Sequence, residues 1–142
     1  MVKTTRVRLD KISSSTRNAH LAPEVIYKLD KTTSPYVPTM VAKGPLVFLW
    51  GDRGVVSCID APTGKVHWQR RVGGNYSGSP VRVGNAVYCA SADGEVVVLA
   101  ASKEYELLGR SQLGEGTRAT PAVANGRLYF RTESQLLAIG PR

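Results

Sequence analysis

Short apolar runs alternate with polar, glycine-containing turns along most of this chain, and the whole alternation repeats about every forty residues. Pro38, Pro80 and Pro121 each open one repeat. After each proline come an apolar run, a glycine turn, an apolar triplet, a second polar turn and a third apolar run. A fixed period of this length is typical of propellers, solenoids and other repeat arrays.

Each apolar run predicts a short β-strand, because the runs are rich in Val, Ile, Leu and Tyr and are bounded by Gly, Asn or Asp. Asn125-Gly126 predicts a type I′ hairpin turn, since both central residues of that turn need a positive φ. A fourth strand at 65–70 and again at 105–110 completes two of the units. We therefore predict an all-β fold, a partial β-propeller of about three four-stranded antiparallel blades. An ordinary β-sandwich with evenly spaced strands is the alternative.

The period also predicts how the chain is divided. Residues 1–23 form a basic N-terminal arm that could supply an edge strand at 5–9, and residues 24–142 form the propeller-blade domain. Within that domain we predict a leading outer strand at 24–34, a blade at 35–74, a second blade at 75–115 and an incomplete blade at 116–142.

The predicted blades imply association. A closed propeller has at least four blades, and structural repeats do not bury their apolar faces alone. We expect either a homo-oligomer formed by strand exchange between residues 24–30 and 136–139, or completion by further blades if the chain is a fragment. The number of blades in the closed ring stays open.

One motif within the repeat has a clear physical role. Asp60, Thr63, Gly64 and Trp68 follow the pattern D-x-x-T-G-x-x-x-W. Gly64 is free to take a positive φ in a turn, and Asp60 can accept hydrogen bonds from the amides of that turn. Trp68 then offers a large face for burial against the neighbouring blade, and the alternative is an exposed aromatic that binds a ligand.

This motif resembles the tryptophan-docking pattern of quinoprotein-like (pyrroloquinoline-quinone-repeat) β-propellers. The resemblance covers roughly residues 35–140, although Cys58 stands where the fuller pattern has Ala. It implies that Trp68 packs between blades and that the chain is similar to the C-terminal blades of a larger, non-catalytic propeller.

The resemblance does not carry an enzymatic activity over to this chain. Dehydrogenases of the resembled family hold pyrroloquinoline quinone and calcium with residues distributed around a full ring, and no position here matches those ligands. The sequence also lacks the G-x-S-x-G, H-E-x-x-H and P-loop motifs. We therefore predict no catalytic residue, no cofactor and no metal site.

Cys58 and Cys89 are predicted to be buried thiols, and whether they form a disulfide stays open.

The predicted function is a non-catalytic scaffold that presents one loop face to a protein or peptide partner. In a propeller, the turns between the second and third strands and the links from each fourth strand to the next blade emerge on the same side. The polar and aromatic residues of these segments form the candidate partner face: Trp50, Asp52, Arg53, Asn75, Tyr76, Asp93, Arg118, Arg131 and Glu133. The first alternative is part of a quinoprotein-like enzyme or ligand-binding propeller.

Charge supplies a second alternative, polyanion binding through the basic arm. The formal net charge is +8, from 19 Lys and Arg against 11 Asp and Glu. A basic excess attracts polyanions, but no nucleic-acid motif accompanies it, so a nucleic-acid partner is not expected. No apolar segment long enough for a signal peptide or a membrane span occurs. The cellular location stays open, although members of the resembled family are commonly extracytoplasmic.

Overall fold

The computed structural model describes residues 3–6 and 24–141, with side chains for residues 25–141. Within these ranges all regular structure is β-strand. The N-terminal sheet contains β1 Lys3–Arg6 and β2 Glu24–Lys28. Sheet I contains β3 Val41–Lys43, β4 Leu46–Trp50, β5 Val55–Asp60 and β6 Val66–Arg71. Sheet II contains β7 Val81–Val83, β8 Ala86–Ala90, β9 Glu95–Ala100 and β10 Leu107–Gln112. Sheet III contains β11 Ala122–Ala124, β12 Arg127–Arg131 and β13 Leu136–Ile139.

Neighbouring strands in each sheet are neighbours along the chain and pair antiparallel. This arrangement confirms the predicted all-β fold of partial propeller blades. Asn125 and Gly126 both have positive φ, 51° and 72°, as the predicted type I′ turn requires. The fourth strand predicted at 105–110 is observed at Leu107–Gln112, so Tyr105 precedes the strand.

Both faces of sheet I are apolar, and this explains why the sheets stack. Side chains alternate between the two faces of a strand. Phe48 and Trp50 of β4 pack in one buried cluster with Val87 and Val97 of sheet II. Leu49, between them, packs in a second cluster with residues of the N-terminal sheet and the link after it. Sheet I is therefore buried between two neighbours, as a blade in a propeller is.

The outer hairpin of successive sheets carries the same irregularity. The register shifts between Thr4 and Thr5 in the N-terminal sheet, and between Cys58 and Ile59 in sheet I. Sheet II has the shift between Leu107 and Gly109. Each shift leaves one residue of the outermost strand (β2, β6 or β10) unpaired, as in a β-bulge. The residue after the unpaired one occupies an equivalent position in the three sheets: Tyr27, Trp68 and Gly109.

The leading strand differs from the prediction in one respect. Sequence analysis assigned residues 24–30 to strand exchange with residues 136–139, but β2 pairs with β1 of the same chain. That pairing places a strand at Lys3–Arg6, which overlaps the predicted strand at residues 5 and 6; residues 7–9 lie outside the described ranges. Within those ranges, β13 (residues 136–139) has β12 as its hydrogen-bonded neighbour. One of the two strand ends invoked for strand exchange is therefore already paired.

In sheets I and II, a backbone hydrogen bond joins the sheet to the link that follows it. The amide of Val72 donates to the carbonyl of Gly54 at 2.7 Å, and the amide of Leu113 donates to the carbonyl of Gly94 at 2.9 Å. Each bond joins the start of a link to the turn between the second and third strands of the same sheet. These bonds bring links and turns together on one side of the sheets, which we call the link face.

Candidate partner-binding site

Hydrogen bonds within residues 60–64 form a tight corner in sheet I, which we call the docking corner. The Thr63 amide and hydroxyl both donate to Asp60 Oδ2, at 3.2 and 2.7 Å. The Gly64 amide donates to the Asp60 carbonyl at 2.8 Å, and Gly64 has φ of 74°. The hydrogen bond from the Thr63 side chain is the main reason that the pKa of Asp60 is lowered. This corner holds the hairpin that leads into β6.

Trp68 connects this hairpin to sheet II. Its side chain is 7% exposed and belongs to the buried cluster that contains residues of sheets I and II. The indole Nε1 donates to the carbonyl of Ser102 at 3.1 Å. Its ring lies 6.2 Å from that of Phe48 and 5.3 Å, edge-on, from that of Tyr105. The contact thus combines apolar burial with one hydrogen bond to the next sheet, and a ligand-binding role would need an exposed ring.

Tyr27 makes the corresponding contact one repeat earlier, and sequence analysis missed it. Its hydroxyl donates to the carbonyl of Ala61 at 2.7 Å. Its ring covers Gly64 so closely that a Cβ there would lie 2.5 Å from the ring. Tyr27 lies 41 residues before Trp68, the period of the repeat, and that spacing was the available signal.

At the third equivalent position, Gly109 leaves the docking contact unfilled. A Cβ built on Gly109 would have no heavy atom within 4 Å. Gly109 pairs with Val98, whose side chain packs in the cluster between sheets II and III. The interface between sheets II and III therefore lacks the docking aromatic that is present at the two preceding interfaces.

Gly109→Trp is accordingly expected to stabilise the protein by about 1–2 kcal/mol, because burying an aromatic side chain contributes up to about 3 kcal/mol. Gly109→Ala is the matched control, and removing a strand glycine should stabilise by about 0.5–1 kcal/mol. Urea unfolding followed by circular dichroism measures both. A tryptophan variant no more stable than the alanine variant would show that this space does not accept a docking aromatic.

Two aromatic residues of the candidate partner face are buried, which corrects that part of the prediction. Trp50 is 0% exposed and Tyr76 is 3% exposed, with their rings 5.4 Å apart and edge-on. Trp50 ends β4 on the side that faces sheet II, and Tyr76 lies in the link that closes over it. Burial raises the pKa of Tyr76. These two rings are core residues and cannot contact a partner.

The other candidate residues lie on the link face. Asp52 and Arg53 occupy the β4–β5 turn, and Asp93 occupies the β8–β9 turn. Their companions lie in links or at the β12–β13 turn: Asn75, Arg118, Arg131 and Glu133. All seven are exposed except Asp52, which is half-buried. The structure thus brings the polar members of the set to one side of the molecule.

Two grooves open on the link face. The larger has a volume of about 580 Å³ and lies between the first link and the β4–β5 turn. Its lining residues are Lys31, Thr32, Ser34, Tyr36, Gly51, Asp52, Arg53, Val55 and Arg71. The smaller has a volume of about 170 Å³ beside sheet III. Its lining residues are Ala92, Gly116, Thr117, Arg118, Arg131, Thr132 and Glu133.

Tyr36 is the exposed aromatic residue that sequence analysis overlooked. Its side chain is 93% exposed at the rim of the larger groove. The two prolines around it, Pro35 and Pro38, were a sequence signal for a rigid link that cannot join a central strand. Exposed tyrosine is one of the residue types that dominate interface energetics. Tyr36 therefore replaces Trp50 and Tyr76 as the aromatic candidate.

The carboxylate of Glu115 holds the β12–β13 turn. It accepts hydrogen bonds from the Ser134 hydroxyl at 2.5 Å, the Thr132 hydroxyl at 2.7 Å and the Gln135 side-chain Nε2 at 3.1 Å. The Ser134 backbone amide adds a fourth at 2.9 Å. These bonds, those from Ser134 foremost, lower the pKa of Glu115 to about 2 from the ordinary 4.5. The folded structure therefore stabilises the ionised carboxylate of Glu115 relative to its protonated form.

This shift predicts acid sensitivity near sheet III. Because the folded pKa lies below the unfolded one, the stabilisation is present above pH 4.5 and is lost as the pH falls toward 2. The melting temperature of Glu115→Gln should therefore fall less than that of the parent between about pH 6 and about pH 3. Glu133→Gln, exposed on the same turn, serves as control and should follow the parent. Identical pH profiles for Glu115→Gln and the parent would contradict the assignment.

The two cysteines are free and buried, as expected for thiols that occupy apolar positions. Burial raises the pKa of Cys58 to about 11 and raises the pKa of Cys89 further. Both thiols are therefore held in the unreactive, protonated form.

Across residues 24–141, no three His, Cys, Asp or Glu side chains are grouped so that they could hold a metal ion. In that same part of the chain, no helix is long and apolar enough to cross a membrane.

Stacked antiparallel sheets, with Tyr27 joining the N-terminal sheet to sheet I and Trp68 joining sheet I to sheet II, have the architecture of β-propeller blades. The family model described as outer membrane protein assembly factor BamB matches residues 28–142. The chain therefore belongs to this PQQ-repeat family, as the sequence resemblance predicted.

Solved structures support the fold. BamB from Moraxella catarrhalis superposes with a TM-score of 0.60 at 22% identity, over 70% of this chain and 30% of that one. The quinohemoprotein alcohol dehydrogenase ADHIIG from Pseudomonas putida HK5 gives a TM-score of 0.57 at 18% identity, over 73% of this chain and 17% of that one. The chain thus spans less than a third of either protein. No curated protein sequence matches it.

Proposed function

We propose that this chain acts as a non-catalytic scaffold of the PQQ-repeat propeller family, with the link face as the surface that binds a protein partner. The observation that carries the proposal is the pair of grooves on that face, bordered by exposed arginines and by Tyr36. Arginine and tyrosine are enriched among the residues that anchor protein interfaces. The family description, an assembly factor, agrees with a role exerted through partners.

The opposite side of the sheets offers less to a partner. It consists of tight hairpin turns such as Gly44, Gly84 and the docking corner at 60–64. On this side, the carbonyl of Ala61 already accepts a hydrogen bond from Tyr27, and the carbonyl of Ser102 accepts one from Trp68. The link face combines exposed arginines with the two grooves, so it is the better candidate.

The alternative, a part of a quinoprotein enzyme, has less support in these residues. The described residues provide no cluster of metal-binding side chains, so they do not fit a calcium-bound quinone and we derive no catalytic step through one. Similarity to a dehydrogenase at 18% identity concerns the fold and not the reaction. Absorbance titration with the quinone and calcium distinguishes the two, because a stoichiometric complex would favour the enzyme.

Site-specific photo-crosslinking in cells tests the proposal. Benzoylphenylalanine is placed at Arg53, Asn75 or Asp93 on the link face, and at Lys65 or Asn85 on the opposite side as matched exposed controls. We expect discrete protein adducts from the link-face positions and few from the controls. Adducts formed equally from both sides, or from the control side alone, would overturn the choice of face.

The proposal includes association through the open edge of sheet III. Leu136 is 70% exposed, and unpaired strand edges promote pairing with another chain. Either a second copy or complementary blades would cover this edge. The pairing of β2 with β1 makes complementary blades the simpler arrangement, because β2 is already part of a sheet.

A further inference from the structure

We propose that the larger groove of the link face binds a carboxylate-rich segment of a protein partner. This inference rests on the partner-binding function proposed above and gives it a ligand chemistry. The groove lies between the link that contains Lys31 and Tyr36 and the turn that contains Asp52 and Arg53. Its volume of about 580 Å³ falls in the range of about 300–1,000 Å³ found for ligand pockets.

The charges that border the groove favour an acidic ligand. Lys31, Arg53 and Arg71 are all exposed and line it, against the single carboxylate of Asp52. Arg71 donates from Nη1 to the backbone carbonyl of Arg53 at 3.1 Å, which holds one guanidinium beside the turn. Guanidinium groups bind carboxylates through paired, parallel hydrogen bonds.

Asp52 explains why a peptide fits better than a free anion. Its Oδ2 accepts from the Tyr36 amide at 2.8 Å and its Oδ1 accepts from the Val37 amide at 3.0 Å. Each carboxylate oxygen can accept a further hydrogen bond. An extended peptide offers backbone N–H donors to Asp52 together with side-chain carboxylates for the arginines. A phosphate lacks these backbone donors, and its negative charge would be repelled by Asp52.

Tyr36 supplies an apolar contact at the rim. Its ring is almost fully exposed, and Val37 beside it is more than half exposed. Both residues have their backbone fixed by Asp52, so their position at the rim is set before a ligand arrives. A bound segment therefore needs an apolar residue next to its acidic ones.

The smaller groove beside sheet III is a weaker candidate for the same chemistry. Arg118 and Arg131 line it together with Glu133, and its volume is about 170 Å³. It thus has one cation fewer than the larger groove and under a third of the space. This difference provides an internal control on the same face.

Fluorescence anisotropy with two labelled peptides tests the inference. The probe is a ten-residue peptide of alternating Glu and Ser with one central Leu, and its control has Gln in place of every Glu. At about 0.15 M salt, we expect the acidic peptide to bind and the Gln peptide to bind at least about tenfold more weakly, a loss of 1.4 kcal/mol or more.

Variants then locate the site. Arg53→Gln combined with Arg71→Gln should weaken binding of the acidic peptide by about tenfold or more, since hydrogen bonds to charged groups are lost. Arg70→Gln is the matched control, because Arg70 lies next in the same strand but lines neither groove. It should change binding by less than about twofold. Circular dichroism confirms that each variant is folded.

The remaining outcomes separate the groove from the face. If Arg118→Gln with Arg131→Gln abolishes binding while the Arg53 and Arg71 variant binds normally, the groove is wrong and the face is right. If inorganic phosphate or vesicles of phosphatidylglycerol compete as well as the peptide, the groove is an anion or lipid site, and the peptide inference is overturned. Absence of peptide binding at about 1 mM would also overturn it, while crosslinks from the link face would keep the partner function.

Discussion

Replacing Trp68 with alanine is expected to lower the free energy of unfolding by about 3–5 kcal/mol, because it leaves a large cavity between sheets I and II. The ring is buried against Phe48 and Tyr105, and its Nε1 bond to the Ser102 carbonyl would be lost. Domains of this size are stable by about 5–15 kcal/mol, so a large part of the total is at stake. Urea unfolding followed by far-ultraviolet circular dichroism measures the change.

Two further variants separate the contributions to that loss. Trp68→Phe keeps an aromatic ring but removes the hydrogen bond, which should account for about 0.5–1.5 kcal/mol, and some packing. Lys65→Ala, exposed in the same hairpin, should change stability by less than about 0.5 kcal/mol. A Trp68→Ala protein within 1 kcal/mol of the parent would mean that the sheets do not depend on this contact.

Replacing Gly54 with alanine is expected to cost about 3 kcal/mol or more, since strain and collision act together. Gly54 has φ of 69°, which disfavours any other residue. An added Cβ would also run into the backbone carbonyl of Gly73, and a backbone group cannot rotate away. The hydrogen bond from the Val72 amide to the Gly54 carbonyl would be distorted as a result.

Gly44 provides the matched control for that substitution. Its φ of 54° imposes a similar conformation, but a Cβ there would meet nothing within 4 Å. Gly44→Ala should therefore cost only the backbone strain, about 1–2 kcal/mol. Equal losses at the two positions, measured by the same urea titration, would mean that the close approach of link and turn is unimportant.

The regular part of the structure was accessible from sequence. Strand boundaries follow from apolar runs between glycine-containing turns, because short β-strands and hairpin turns have strong local signals. The corner at Asp60–Gly64 was predicted because its hydrogen bonds join residues at most four apart. Trp68 was predicted because one motif links it to that corner.

The functional surface was harder to predict because it depends on contacts between sheets. Trp50 and Tyr76 are residue types common at partner surfaces, but their rings pack against each other and lie in a cluster that includes residues of sheet II distant in the chain. Tyr36 has a similar local sequence character and remains exposed because no strand of the described residues covers it. The recurrent bulge in the outer hairpin also escaped prediction, since register is set by pairing between strands.

The empty docking position at Gly109 makes the molecule unequal along its length. Each sheet packs mainly against the next one. The array therefore behaves as a series of coupled units, and the weakest interface between sheets determines where it opens first. Tyr27 and Trp68 each stabilise an interface with an aromatic ring and a hydrogen bond, whereas Gly109 provides neither. Amide hydrogens of β11–β13 should therefore exchange with solvent before those of β4 and β5, and the polypeptide would loosen from one side while the remaining sheets stay assembled.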